Sequence, residues 1–442
     1  MQNFYIKIYG CLFNHADAQR IKTILLQSGL KEVQQPENAD IVVIISCSVR
    51  EKAEHKAIDF INKFSKNKIT ILTGCMIRRD FSNNITLNTK KRIRYLNKIL
   101  PRTFFIDITN IELLPKMVND IRNKVPKQVI DARYTLKRKS NYYDTIVPTY
   151  GNDSPIAAIP IMSGCNEMCS YCIVPYSRGQ EYYRSFDSIL RDVYTALSSG
   201  KKIIYLLGQI VDKWKYKDKD FLSLLQAIIK IKEEFYLGFT SPHPNYITND
   251  IIDFIANEPK MLKHLGLPLQ SGSNKILKLM NRKYTIEKYK RIALYAKNKI
   301  PHLYLTTDII VGFPGETAED FNQTINIIKE LKFDKIFFAK YSPRLNEYHK
   351  KIVNNIKYQK ILTQRFNKIN QISNLIFSQN NQKRVGNVYK AVVLNSKFVL
   401  TETNQYVEVE STSNQLQTGR LTQIKITKGG TRGLAGEIVK ML

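Results

Sequence analysis

Three cysteines, Cys165, Cys169 and Cys172, occupy one short stretch with the spacing Cys-x-x-x-Cys-x-x-Cys. Thiolates so spaced can hold three irons of a [4Fe–4S] cube and leave the fourth iron open to another ligand. Zinc is the structural alternative, but a closed zinc site wants four ligands, and no fourth cysteine or histidine stands nearby. The six histidines are scattered, which also disfavours a Cys/His finger. Gly164 lets the chain turn tightly before Cys165, and the loop follows an apolar strand candidate ending at Ile161. Tyr171 offers a ring at the mouth of this loop, although a lone aromatic also serves plain packing.

The remaining cysteines are Cys11, Cys47 and Cys75, so none of the six falls in the last 270 residues. Each of these three follows an apolar run within a few residues: Phe4 to Tyr9, Ile41 to Ile45, and Ile69 to Leu72. In an open parallel sheet the carboxyl ends of the strands lie along one edge, where ligands usually bind. Cysteines far apart in sequence can then meet there. Three independent buried thiols are the competing reading.

The elements that must position these residues read as α/β. The first segment alternates strands with amphipathic helices, at about Asp17 to Ser28 and Val49 to Phe64, as a parallel α/β domain over residues 1–120 would. Residues 121–150, with Lys137-Arg138-Lys139 and Asn141-Tyr142-Tyr143-Asp144, look like a connector. A second α/β segment, 151–377, has strand candidates at Ala157–Ile161, Ile203–Leu207, Tyr236–Phe239, Leu303–Thr306 and Ile336–Phe338. Repeated β-α units suggest a larger parallel sheet or partial (β/α) barrel. In 378–442 short strands at Tyr389–Leu394, Lys397–Leu400, Gln405–Val409 and Leu421–Ile426 predict a small all-β barrel, a shape that often binds oligonucleotides.

Composition sets the context. The 442 residues are 43% hydrophobic, which suits a folded protein of two or three domains. No apolar run reaches the ~18 residues of a membrane span, and the first residues lack the plan of a signal peptide. The chain is therefore read as cytoplasmic, with no membrane association, where metal or catalytic cysteines are commoner than disulfides. The net charge of +30 points to a polyanionic partner. A Lys- and Asn-rich bias raises charge everywhere, but from Lys335 to Arg384 eleven Lys or Arg face one acidic residue, Glu347. So one-sided a stretch favours contact with phosphates.

The strand and three-cysteine loop resemble the radical S-adenosylmethionine superfamily. Further segments resemble one branch of it, the methylthiotransferases. They include Tyr9-Gly10-Cys11 with Asn14, Ser46-Cys47-Ser48-Val49-Arg50, Thr73-Gly74-Cys75-Met76, Arg178-Gly179 and Leu207-Gly208-Gln209. Thr240-Ser241-Pro242-His243-Pro244, Leu267 to Ser273, Met280-Asn281-Arg282, Thr307 to Thr317 and Tyr341-Ser342-Pro343-Arg344 extend the likeness over nearly the whole chain. Departures are Ser163 for the usual Glu, Tyr183-Arg184-Ser185 for Ser-Arg-Pro, Ile210 for Asn, and Leu345-Asn346 for Pro-Gly.

The resemblance implies two [4Fe–4S] clusters: a radical-generating one on Cys165, Cys169 and Cys172, and a sulfur-supplying one on Cys11, Cys47 and Cys75. It implies S-adenosylmethionine as both methyl donor and radical source. Gln209, Ser241, Gln270 and Asp308, with Tyr171, become candidates to line the cofactor or substrate pocket; each could instead tie strand ends together. Arg178, Arg282 and Arg344 become candidate phosphate or carboxylate partners, with internal salt bridges as the competing use. The terminal barrel resembles the family's TRAM domain, with Lys425, Lys428 and Arg432 as possible RNA contacts. The stretch after Cys47 looks most like family members that act on N6-isopentenyladenosine in tRNA. Such an enzyme needs a reducing partner such as flavodoxin or ferredoxin, and a sulfur source. Methylthiolation of threonylcarbamoyl-adenosine or of a ribosomal-protein aspartate are the alternatives, followed by a non-catalytic iron–sulfur RNA-binding protein.

Overall fold

Every residue of Ile41–Ser46 is buried, because this run of β-branched side chains is the middle strand of a parallel sheet covered on both faces. In the computed structural model, which describes residues 2–48, 51–77, 85–136, 142–151, 154–343, 347–410 and 416–442, that sheet has five strands. They are β1 (Asn3–Tyr9), β2 (Lys31–Glu32), β3 (Ile41–Ser46), β4 (Ile69–Gly74) and β5 (Thr103–Phe105), in the order β2-β1-β3-β4-β5. The pairing puts Tyr9 opposite Ser46 and Ser46 opposite Gly74. The three central strands thus finish level with one another.

Among the described residues six helices belong with this sheet: α1 (Leu12–Gln27), α2 (Glu51–Phe64), α3 (Ile85–Ile99), α4 (Leu114–Arg122), α5 (Lys127–Thr135) and α6 (Tyr142–Thr145). Ile21 and Leu25 of α1 pack with Met117 of α4 and Ile130 and Tyr134 of α5 against one face. Ala57 and Ile61 of α2 and Leu96 of α3 cover the other. Residues 121–150, expected as a connector, carry α5 and α6, and their Tyr134, Tyr142 and Tyr143 lie in the first of these cores. Lys137 to Lys139 and Asn141 lie outside the described residues.

By compactness the chain divides into two units. The first is Met1–Tyr150 with Ala158–Asn166 and Cys172–Thr195; the second is Gly151–Ala157 with Glu167–Tyr171 and Ala196–Leu442. Within the second, Ile203–Leu207 pairs in parallel with Tyr236–Phe239, which bridges to Met261. His264–Gly266, Tyr304–Val311 and Lys335–Lys340 continue as a parallel sheet. Helices Phe221–Ile229, Asn249–Asn257, Ile286–Lys299 and Ala318–Leu331 alternate with these strands. Repeated β-α units in one direction make the open barrel arc that the apolar runs predicted.

The helix Ile356–Gln382 runs through residue 377, where the sequence changes character. Near its start Tyr358 hydroxyl donates to Gly312 O and Arg365 pairs with Glu316 at 2.6 Å. Near its end Asn381 Nδ2 donates to Gly430 O at 2.9 Å. Beyond it, Val388–Val393, Phe398–Thr401, Tyr406–Val409, Gly433–Met441 and Leu421–Gly430 close, in that order, into a barrel around Val399, Val407 and Ile424. Among the described residues no helix is long and apolar enough to cross a membrane.

Candidate functional site

The level ends of β1, β3 and β4 deliver Cys11, Cys47 and Cys75 to one edge of the sheet. Cys11 is the residue before α1, and its backbone N–H donates to Asn14 Oδ1 at 3.2 Å, fixing the turn from strand to helix. Gly74 has φ +93°, and a Cβ there would sit 2.7 Å from Ser46 O. Only glycine brings β4 that close to β3 while turning Cys75 inward. None of the six cysteines forms a disulfide; Cys47 and Cys75 are buried and Cys11 is exposed.

The three thiols feel one another. A hydrogen bond with Cys47, aided by the charge of Arg178, brings the Cys11 thiol down to about 6. Burial pushes the Cys75 thiol up, opposed by the same guanidinium. Within three residues of them in the chain, Asn14 Nδ2, Ser46 Oγ, Ser48 Oγ and Thr73 Oγ1 are buried without a hydrogen-bond partner. Buried donors ordinarily find acceptors. Four orphaned donors beside three thiols fit a group rich in sulfur acceptors, as an iron–sulfur cluster is. Among the described residues no three Cys, His, Asp or Glu groups converge tightly enough for a single metal ion. Three thiols among orphaned donors are a donor set that fits a [4Fe–4S] cube, whose thiolates bind different irons.

Arg178 is not a surface contact for phosphate. Its side chain is 4% exposed and Nη2 lies 3.0 Å from Asp17 Oδ2. Nη1 donates to Tyr143 Oη at 3.2 Å, and the guanidinium covers the Phe13 ring at 4.6 Å. Asp17 accepts in addition from the hydroxyls of Tyr142, at 3.0 Å, and Tyr143. Sequence reasoning missed Asp17 and the tyrosine pair. The available signal was an acidic residue one helical turn beyond Asn14, on the apolar side of α1.

In the radical-type loop, Cys165 N donates to Gly179 O at 3.1 Å, and Gly164, at φ +79°, leaves no room for a Cβ beside Gln180 O. Cys172 Sγ accepts from Val174 N at 3.4 Å. In the second unit Cys169 Sγ accepts from Arg282 Nη1 at 3.7 Å, and Ser170 N donates to Met280 O. Arg282 also donates to Tyr284 Oη at 3.1 Å, so this arginine too is inward-facing. Tyr171 packs against the cluster of Ile276, Met280, Phe313 and Tyr341. Arg344 lies outside the described residues.

Ser241 and Gln270 both hold left-handed backbone, at φ 60° and 68°. Such conformations cost about 1–3 kcal/mol for non-glycine residues and concentrate at functional sites. Gln270 bridges to Ile309 in the neighbouring strand, next to the exposed Asp308. Gln209 Oε1 is buried without a partner. Asp212, three residues on, accepts from His243 N with both carboxylate oxygens, at 3.1 and 2.9 Å. Burial pushes this carboxyl up to about 8 and the His243 ring down to about 3, so both are neutral at pH 7. The candidate RNA contacts differ among themselves: Lys425 and Arg432 are exposed, and Lys428 pairs with Glu410 at 2.6 Å.

Comparison with known proteins adds independent findings. Residues 159–328 match the pattern described as "Radical SAM superfamily", and residues 3–93 the pattern described as "Uncharacterized protein family UPF0004". The chain is 33% identical over 446 residues to the tRNA-2-methylthio-N(6)-dimethylallyladenosine synthase of Thermodesulfovibrio yellowstonii, covering 98% of both. It is 34% identical to the protein of that name from Hydrogenobaculum sp., over 99% of this chain and 100% of the relative. Among solved structures, the radical S-adenosylmethionine methyltransferase TsrM of Kitasatospora setae aligns with TM-score 0.55 at 12% identity, covering 80% of this chain and 79% of that one. The cobalamin-dependent radical enzyme OxsB aligns with TM-score 0.53 at 11% identity, over 84% of this chain and 56% of that one. At such identities the structural matches bear on fold alone.

Proposed function

Because the chain belongs to the radical S-adenosylmethionine methylthiotransferase family, we propose that it installs a methylthio group on carbon 2 of N6-isopentenyladenosine beside the anticodon of tRNA. The observation that carries this reading is the meeting of Cys11, Cys47 and Cys75 at one sheet edge among orphaned donors. A radical enzyme that only abstracts hydrogen has no need of a second three-thiol site. The family uses two [4Fe–4S] clusters with S-adenosylmethionine. Cys165, Cys169 and Cys172 would hold one cluster and Cys11, Cys47 and Cys75 the other. When bound, these groups supply the radical that removes hydrogen from an aromatic carbon and the sulfur that replaces it.

The chain's own residues orient and protect. Arg282 donates to Cys169 Sγ and orients it; Ser170, bonded to the turn at Met280, fixes the loop that carries Cys169. Gln209, Ser241, Gln270 and Asp308 would line the cofactor or substrate pocket, with Tyr171 beside it. Asp212 and His243, buried in their neutral forms, add no charge of their own there. Residues 1–120 would form the sulfur-supplying domain, 151–377 the radical core and 378–442 a TRAM-like RNA-binding domain. Helix Ile356–Gln382 contains no Asp or Glu, and Lys357, Lys360 and Lys368 are exposed on it, a surface suited to a phosphate backbone. A cytoplasmic location, a flavodoxin- or ferredoxin-like electron donor and a sulfur source complete the proposal.

Nucleoside mass spectrometry of tRNA from cells with and without the gene tests the substrate. Loss of methylthio-isopentenyladenosine, with its unmethylthiolated precursor accumulating, is expected; an unchanged level refutes it. Anaerobic reconstitution tests the class, with about eight irons per chain and reductive cleavage of S-adenosylmethionine expected.

A further inference from the structure

We infer that Arg178 is the cationic partner of the group held by Cys11, Cys47 and Cys75, and that Asp17, Tyr142 and Tyr143 are positioning residues that hold its guanidinium there. The inference rests on the assignment of a cluster to those three cysteines. Arg178 is buried, yet its carboxylate partner among the described residues, Asp17, is shared with two tyrosine hydroxyls. Hydrogen bonds from both tyrosines spread the carboxylate's charge, so the ion pair leaves net positive potential on the side facing the thiols. The guanidinium lies over the ring of Phe13, two residues from Cys11, at 4.6 Å, and its charge acts on both Cys11 and Cys75. Its stem cannot swing away, because Phe13 lies under the guanidinium plane and Tyr143 bonds the other nitrogen.

The source of each group is informative. Asp17 is on α1, the helix that begins after Cys11; Tyr142 and Tyr143 are on α6; Arg178 follows Cys172 in the chain. Two separate segments, α1 and α6, are used to fix a guanidinium carried by a third. A structural salt bridge would need only Asp17. A positive charge near a cluster favours its reduced, more negative form, and hydrogen bonds to cluster sulfur act in the same direction.

The test uses the full-length chain with Cys165→Ala, Cys169→Ala and Cys172→Ala, leaving one cluster, and follows its reduction by dye-mediated dithionite titration with electron paramagnetic resonance. About four irons per chain are expected in this parent; their absence overturns the cluster assignment and this inference together. With iron retained, Arg178→Gln should move the midpoint to lower potential and Asp17→Asn to higher, while Arg178→Lys should stay near the parent. An unmoved midpoint in both Arg178→Gln and Asp17→Asn, or shifts of the same sign, overturns the inference and leaves the cluster assignment standing. Should Arg178→Gln lose its iron, Arg178→Lys decides. Iron kept at near-parent potential supports the role of charge, and iron lost there too overturns it.

Discussion

The two cysteine triplets are built by opposite strategies. Cys165, Cys169 and Cys172 are close because the chain between them is short. Cys11, Cys47 and Cys75 are close because β1, β3 and β4 end in register. Their surroundings differ as well. The strand-end triplet has a buried ion pair, Arg178 with Asp17, beside it. The second unit's strand ends instead bury Asp212 and His243 in their neutral forms. A loop motif keeps its ligands through local disturbance, whereas a triplet assembled by a sheet is only as good as that sheet's register and electrostatics.

The largest expected effect separates the triplets by function. Cys169→Ala should lower both S-adenosylmethionine cleavage and methylthio product by on the order of 10³-fold or more, because ligands of one cluster act as a unit. Cys47→Ala should abolish methylthio product equally but leave reductive cleavage within about threefold of the parent. Both are read by chromatography of 5′-deoxyadenosine and of digested tRNA from one reaction. Equal loss of cleavage in the two variants would erase the functional distinction.

A smaller effect probes how each triplet is built. Gly74→Ala forces a side chain against Ser46 O at positive φ and should cost about 1–3 kcal/mol. Iron should fall by about half, from about eight to about four per chain, while cleavage of S-adenosylmethionine persists. Gly164→Ala meets Gln180 O at 2.0 Å and should do the reverse, sparing the iron on Cys11, Cys47 and Cys75 and losing cleavage. Iron analysis with denaturation curves checks both. Loss of all iron in either variant would mean that the triplets do not assemble independently.

This difference in construction also explains what was legible. The strands before Cys11, Cys47 and Cys75 were plain in the sequence because apolar runs buried on both faces leave little ambiguity. β2 and β5, of two and three residues, carry no periodicity to detect. The strand Gly433–Met441 was missed because Gly433, Ala435 and Gly436 dilute its β pattern. The six cysteines stood out by spacing and context, and Gly164 by the turn it must make. For Arg178 the sequence left a phosphate or carboxylate partner and an internal salt bridge side by side, because its partners come from α1 and α6, far off in sequence, and no local pattern announces a buried ion pair. Asp212 was invisible for a related reason: its protonation follows from burial, a tertiary property.

That carboxyl provides the most delicate contrast with the ion-paired triplet. In the unfolded chain Asp212 would release its proton near 3.8, but in the fold it holds it to about 8. A carboxyl whose folded pKa is raised contributes stability that is complete below the unfolded value and is lost as pH rises through the folded one. Between pH 5.5 and 8.5 the parent should therefore lose stability that Asp212→Asn does not lose. The amide oxygen still accepts from His243 N, and no charge has to be buried. One pKa unit is worth about 1.4 kcal/mol, so the gap between the two proteins should widen by on the order of 2–4 kcal/mol across this range. They converge only below the unfolded value near 3.8, where the carboxyl is protonated in both states. Denaturant curves of the iron-free proteins at both pH values measure it, since every other titrating group is common to the pair. Parallel pH dependence would mean that Asp212 is ionised in the fold, and the neutral character assigned to this end of the sheet would have to be abandoned.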